Sequence, residues 1–220
     1  MAAQPMDYDV PHNGLEYLDY YAPHDVFHPG SDLNKGYGND DLNAEGFAIL
    51  NGRVDFISKP PTKWNNDNGG LGLYTVLEFP AYGKFVRVLH LNSMLLEEGK
   101  TFKEGQTIMK VGKSGTSYAH MHIEGWNKEM YDLQKAYKKR PFGYYPVGKS
   151  KEWVAKYTFD VLKWIEDLNE KEDWRKEEEE WMSQYLSDIP AFIASYDGHR
   201  VSALIHRAVD DLEKRLTKKK

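Results

Sequence analysis

Cysteine is absent from the 220-residue chain, and its absence removes two kinds of architecture. No disulfide framework can form, and a transition-metal site has to be assembled from histidine and carboxylate without thiolate. A basic surplus is missing too. The 29 Lys and Arg are outnumbered by 34 Asp and Glu, a formal charge of -5 at pH 7. That balance argues against generic nucleic-acid binding, which needs a basic stripe. No apolar run approaches the roughly 20 residues of a membrane-spanning helix. No internal repeat is present. The length suits one domain with a substantial appendage, or two small ones, and either can bury a core without cross-links.

What the chain does have changes along its length. Ala2 to Phe27 is rich in Tyr, Asp and Pro without periodicity and reads as an extended lead-in; Gly36 to Gly46 reads as a solvated polar loop. From Phe47 short apolar runs alternate with turns. Phe47–Leu50 and Arg53–Ile57 flank Asn51-Gly52, a type I′ hairpin signal. Leu73–Phe79 and Lys84–Leu89 form another pair around Pro80–Gly83, with His90 expected to end the second strand. Thr107–Val111 and the run after His120 supply further strands. The long connection Pro60–Gly72, with Trp64, is a candidate substrate-groove loop. Asn127–Lys149 is a connecting region with the Tyr-rich segment Pro141–Pro146. Beyond it, Trp153, Tyr157, Val161, Trp164, Ile165 and Leu168 recur at helical spacing, Pro190 reads as a break or helix start, and Val201–Leu212 describes a last amphipathic helix.

The expected fold is therefore α+β. An antiparallel β-sheet domain with its lead-in occupies residues 1–148, and a helical C-terminal region of unassigned role occupies 149–220.

Chemistry concentrates in two places. His120-Met121-His122 sits in an extended run, where side chains at i and i+2 share a face, so both imidazoles look into one site. Imidazole is both the commonest metal ligand and the side chain that titrates nearest neutral pH. Upstream, His28-Pro29-Gly30-Ser31-Asp32 is the densest other place where histidine and carboxylate meet. Pro29 and Gly30 favour a turn that can bring His28 and Asp32 onto one ion. His28, Asp32 and one histidine of the His-x-His pair make an N2O set that leaves a fourth position for water, as in catalytic zinc sites. His12, His24, His199 and His206 read as surface or packing residues.

At these residues the chain resembles the lysostaphin-type zinc endopeptidases, which cut peptide cross-links in bacterial peptidoglycan. The family motifs His-x-Gly-x-Asp and His-Leu-His-Phe-Glu stand here as His28-Pro-Gly-Ser-Asp32 and His120-Met-His-Ile-Glu124. A histidine-leucine pair stands as His90-Leu91, and a Gly-x-x-Gly turn as Gly112-Lys-Ser-Gly115. The resemblance covers roughly Tyr21 to Trp126. Tyr118-Ala119 and Val88 depart from the usual pattern without touching a ligand position.

The resemblance implies Zn2+ held by His28, Asp32 and His122, with His90 and His120 as the catalytic histidines. Which of those two is the general base is not decided by sequence, nor are the cross-link that is cut and the oligomeric state. The partner implied is bacterial peptidoglycan. Met1–Val10 lacks the basic start and apolar core of a secretory signal. This leads to the expectation of a phage lysin, made in the cytoplasm and released by a holin or carried by a virion. The competing expectation is a catalytically inactive wall-binding or virion structural protein that keeps the peptidase fold.

Overall fold

The spine of the molecule is a strand in which alternate residues enter two different cores. In this strand, β7 (Lys84–Met94), Val86 and Val88 belong to one apolar cluster, while Phe85 and Leu89 belong to another. Both faces of the sheet are thus covered, which is why the strand reads as a nearly continuous apolar run and not as an alternating one. The structure is a computed structural model that describes residues 2–8, 14–60 and 70–194.

Before β7 come β1 (Tyr20–Tyr21), β2 (Val26–Phe27), β3 (Ser31–Leu33), β4 (Glu45–Phe47), β5 (Gly52–Ile57) and β6 (Leu73–Phe79). After it come β8 (Thr101–Phe102), β9 (Thr107–Val111), β10 (Met121–Trp126), α1 (Lys128–Lys135), α2 (Lys151–Tyr157), β11 (Thr158–Phe159) and α3 (Val161–Ala194). All strand pairings among the described residues are antiparallel. The main sheet runs β11-β10-β7-β6-β5-β8, with β3 on β10, β4 on β9 and β9 on β7; β1 and β2 form a separate ribbon. The fold is α+β, as expected from sequence.

The β6–β7 hairpin forms as expected, with Gly83 in the left-handed conformation (φ 59°) after the Pro80–Tyr82 turn. The expected hairpin around Asn51-Gly52 does not form. β4 pairs with β9, and β5 pairs with β6 and β8. Asn51 spends its side-chain oxygen on the Glu104 backbone N–H, and Ala48, Ile49 and Leu50 are buried between the two strands. Long-range partners with buried apolar faces outweigh a local turn preference here.

His90 does not end its strand. β7 continues to Met94 through a bulge, with Leu73 opposite Leu91 but Thr75 opposite Val88. His90 sits in that bulge at φ 63°. The extra residue shifts the side-chain phase, so Leu91 joins the cluster that contains Val86 and Val88. His90 leaves that face, where regular alternation would have placed it.

The apolar spacing from Trp153 to Leu168 does not form one helix. Ser150 caps α2, accepting from the Trp153 N–H, and Thr158 ends it. Thr158–Phe159 then pairs with Gly125–Trp126 of β10, and Asp160 accepts from the Leu162 and Lys163 N–H groups to start α3. α3 continues through Pro190, so no break occurs there.

The described residues up to Asn169 form one compact unit, and those from Glu170 to Ala194 belong to a second. The sequence-based boundary at 148/149 falls inside the first of these. Val154, Val161 and Ile165 are buried in it, and the Asn169 side chain accepts from the Ala2 backbone N–H at 2.6 Å. Trp64, His12, His199, His206 and the Val201–Leu212 helix lie outside the described residues.

Candidate metal centre and active cleft

Sheet register builds the centre. β3 and β10 pair with Asp32 directly opposite His122, and β7 places Leu89 on the other side of His122. Gly30 lets the His28–Asp32 turn lie flat on β10, since a Cβ there would come within 2.2 Å of the Ile123 carbonyl oxygen. His28 and Asp32 are thereby brought onto one point.

Three atoms converge there: His28 Nε2, Asp32 Oδ1 and His122 Nδ1. Their separations are 3.0 Å (His28–His122), 2.8 Å (His122–Asp32) and 3.4 Å (His28–Asp32). A tetrahedral zinc with ligands at about 2.0–2.1 Å has ligand atoms roughly 3.3 Å apart. The triangle is close to that size already. The donor set is two imidazoles and a carboxylate, so the residues present fit zinc, and among the described residues this is the group that could hold a metal ion.

Each imidazole of the triangle has its second nitrogen committed. His28 Nδ1–H donates to the Glu16 carbonyl at 3.2 Å, leaving Nε2 for the centre. His122 Nε2–H donates to Glu124 Oε2 at 3.1 Å, leaving Nδ1. Such partners fix the tautomer and raise ligand basicity. Glu124 is itself fully buried. Its Oε1 accepts from Trp126 Nε1 at 2.6 Å and lies 2.7 Å from Arg87 Nη2, a guanidinium equally buried and stacked over the Trp126 ring. Burial alone would raise the Glu124 pKa, but Arg87 and His122 outweigh it and hold it down to about 2. Burial likewise opposes ionisation of Asp32 and His122. Hydrogen bonds from His122 and His28 nonetheless hold Asp32 well below the usual carboxylate range, and in the metal-free protein Asp32 and Glu124 raise His122 to about 9.

His90 and His120 stand beside the centre, their rings 4.6 Å apart between centroids, with His90 6.2 Å from His122. His90 Nδ1 lies 2.9 Å from the Ser114 carbonyl oxygen and His120 Nδ1 lies 3.1 Å from that of Tyr118. A carbonyl only accepts, so both Nδ1 atoms carry hydrogen and both Nε2 atoms keep a lone pair. His120 Nε2 is 3.7 Å from Asp32 Oδ1. Burial and the neighbouring His120 and His122 lower His90 to about 3, and burial also lowers His120. Two neutral imidazoles with free Nε2 lone pairs can take up protons. The Ser114 carbonyl is placed by the Gly112–Gly115 turn, which packs so tightly on the strand before β7 that a Cβ on Gly72 (φ 65°) would meet it at 2.0 Å.

All five residues singled out from sequence line one cleft of about 580 Å³, together with Tyr21, His24, Leu71, Tyr145 and Val147. His24, expected to be an ordinary surface histidine, is exposed but on the cleft wall. Sequence reasoning assigned no role to Arg87, Glu124 or Tyr145. A signal for the first existed: an arginine inside the apolar run Phe85–Leu91 implies a buried partner.

No family model and no curated relative matches the chain. Solved structures do. A zinc-containing peptidase from Vibrio cholerae is 22% identical over 57% of this chain and 36% of its own length, with a TM-score of 0.42. The antimicrobial peptidase lysostaphin from Staphylococcus simulans is 15% identical over 76% of this chain and 55% of its own, with a TM-score of 0.47. The catalytic domain of a prophage-encoded protein from Enterococcus faecalis is 21% identical over 56% of this chain and 86% of its own, with a TM-score of 0.39. The chain thus covers little more than a third of the first and about half of the second. At these identities and TM-scores the likeness carries no argument, and both the fold and the chemistry rest on the residues of this chain.

Proposed function

We propose that the chain is a zinc-dependent endopeptidase that hydrolyses peptide cross-links of bacterial peptidoglycan. The observation that carries this reading is the triangle of His28 Nε2, Asp32 Oδ1 and His122 Nδ1 at near-tetrahedral spacing, with two neutral imidazoles beside it in the same cleft. The peptide cross-link as substrate class is supported by the resemblance of the His28–Asp32 and His120–Glu124 motifs to the lysostaphin type.

His28, Asp32 and His122 would hold the zinc, which when bound would supply Lewis acidity toward a water and the scissile carbonyl. His120 is the residue we assign as general base: its Nδ1–H is tethered to Tyr118, and its free Nε2 stands on the Asp32 side of the cleft. His120 passes the proton it takes from water on to the departing amine, and His90, tethered to Ser114 and kept neutral by burial with its ring 4.6 Å from that of His120, assists that transfer. Asp32 and Glu124 both stay ionised, so the centre would present negative charge to a cation held there.

The test pairs metal content with cleavage. Mass spectrometry should find one zinc per chain, and incubation with purified walls and defined muropeptides should lower turbidity and release new amino ends at the cross-links. Zinc bound without any cleavage would replace this reading with that of an inactive wall-binding protein. No zinc at all would remove the metalloenzyme altogether.

A further inference from the structure

The peptidase reading leaves a donor unaccounted for. As hydroxide adds to a peptide carbonyl, its oxygen gains negative charge, and fixed hydrogen-bond donors aimed at that oxygen stabilise the transition state. The two catalytic imidazoles have already given their Nδ1–H groups to Ser114 and Tyr118. Among the described residues lining the cleft there is no lysine or arginine. The remaining side-chain O–H donors there are Thr116 and two phenols, those of Tyr21 and Tyr145.

The phenols differ in how they are held. Tyr145 follows a residue whose backbone is clamped on both sides: the Tyr144 N–H donates to Gln134 Oε1 at 2.9 Å, and the Tyr144 carbonyl accepts from Gln134 Nε2 at 2.8 Å and Arg87 Nη1 at 3.2 Å. Gln134 and Arg87 are both fully buried. The Tyr145 carbonyl accepts from the Val147 N–H at 2.9 Å, closing the turn beyond it. Tyr21 lies on the two-residue strand β1, paired only with β2, its ring edge-on to His24. Burial, with Glu124 and Asp32 nearby, also raises the Tyr145 pKa, so the phenol keeps its proton. Thr116, half-buried just after the Gly112–Gly115 turn, has its backbone N–H on the Lys113 carbonyl at 3.2 Å and no anchoring comparable with that of Tyr144.

We propose that Tyr145 is a further catalytic residue, donating its phenolic hydrogen bond to the reacting carbonyl oxygen of the substrate. The proposal rests on the peptidase reading. It also makes Pro141–Gly148, which lies beyond the stretch that resembles the lysostaphin type, a working wall of the site.

The experiment uses the full-length, zinc-loaded chain and Tyr145→Phe, which keeps the ring and removes the hydroxyl. On a soluble cross-linked muropeptide, kcat should fall about 100-fold with KM nearly unchanged, the loss typical of one oxyanion donor. Zinc content and melting temperature should match the parent. A second readout needs no turnover: calorimetric affinity for a phosphinate peptide, a tetrahedral anionic mimic, should fall far more than affinity for the matching product peptide. Wild-type kcat and phosphinate affinity in Tyr145→Phe would overturn the proposal, as would a loss confined to Tyr21→Phe. If the parent protein neither cleaves the muropeptide nor binds the phosphinate, the peptidase reading itself falls and takes this proposal with it.

Discussion

His122 donates through Nε2 to Glu124 Oε2 at 3.1 Å, and both residues are buried on the face of β10 turned away from Met121 and Ile123. That one bond leaves His122 Nδ1 facing His28 Nε2 and Asp32 Oδ1. Glu124 is in turn held by Arg87 and Trp126, so the orientation of the His122 ring is set by a buried ion pair two residues down the strand.

Replacing Glu124 by Gln keeps the shape and removes the charge. Zinc affinity should weaken by about 10–100-fold, the usual effect of losing an outer partner of a ligand histidine. Arg87 would be left buried without its counter-ion, which costs about 3–5 kcal/mol. Chelator competition and denaturant unfolding measure the two effects. The double variant Glu124→Gln, Arg87→Met should recover part of the stability but none of the affinity; recovery of both would show that Glu124 acts only through Arg87.

The ligand and base assignments separate by metal content. His28→Ala, Asp32→Ala and His122→Ala should each lose zinc together with activity, since each removes one of three protein ligands. His120→Ala should keep zinc and lose turnover by on the order of 100-fold or more. Zinc loss in His120→Ala as large as in His122→Ala would exchange the two roles.

In the metal-free protein His122 is raised to about 9, above its unfolded value of about 6.5. The sign follows from linkage: the stabilisation from protonated His122 with Asp32 and Glu124 is complete below about 6.5 and is lost as pH rises through about 9. Zinc must displace that proton. At pH 7 binding should therefore release close to one proton from His122, and zinc affinity should climb with pH toward about 9. Calorimetry in buffers of different ionisation enthalpy counts the protons; zero release at pH 7 would mean His122 is neutral before metal arrives.

Truncation tests where the unit ends. A chain stopped after Asn169 should fold and bind zinc, whereas one stopped after Lys149 should not. The shorter chain loses buried Val154, Val161 and Ile165 and the β11 strand on β10. At about 1.5–3 kcal/mol for each buried side chain, the three alone are comparable with the 5–15 kcal/mol that stabilises a typical domain. Far-ultraviolet circular dichroism and zinc titration of both chains give the answer, and a folded, zinc-binding 1–149 would place the helices outside the catalytic unit.

Much of the architecture was legible because short-range patterns determine it. Short apolar runs rich in β-branched and aromatic residues and broken by turns marked β6, β7, β9 and β10, and the turn residues Pro80–Gly83 marked the β6–β7 hairpin. The Asn51-Gly52 hairpin was misjudged for the complementary reason: β4 and β5 each found buried partners far along the chain, and a two-residue turn preference is weak against them. Trp153–Leu168 misled in the same way, since helical spacing does not register that Thr158–Phe159 has an open edge of β10 to fill.

The sequence alone determined which residue types could carry chemistry. Without cysteine, a metal had to meet histidine and carboxylate, and His28, Asp32, His90, His120 and His122 were the places to look. Only the tertiary structure decided how they meet. Pairing of β3 with β10 sets Asp32 opposite His122, and the buried Arg87–Glu124 pair chooses the nitrogen that His122 presents. The bulge at His90 takes its ring off the face of Val86 and Val88 and puts it in the cleft, because one extra residue reverses the alternation of a strand. These are relations between segments distant in sequence, fixed by register and burial, and no local pattern encodes them.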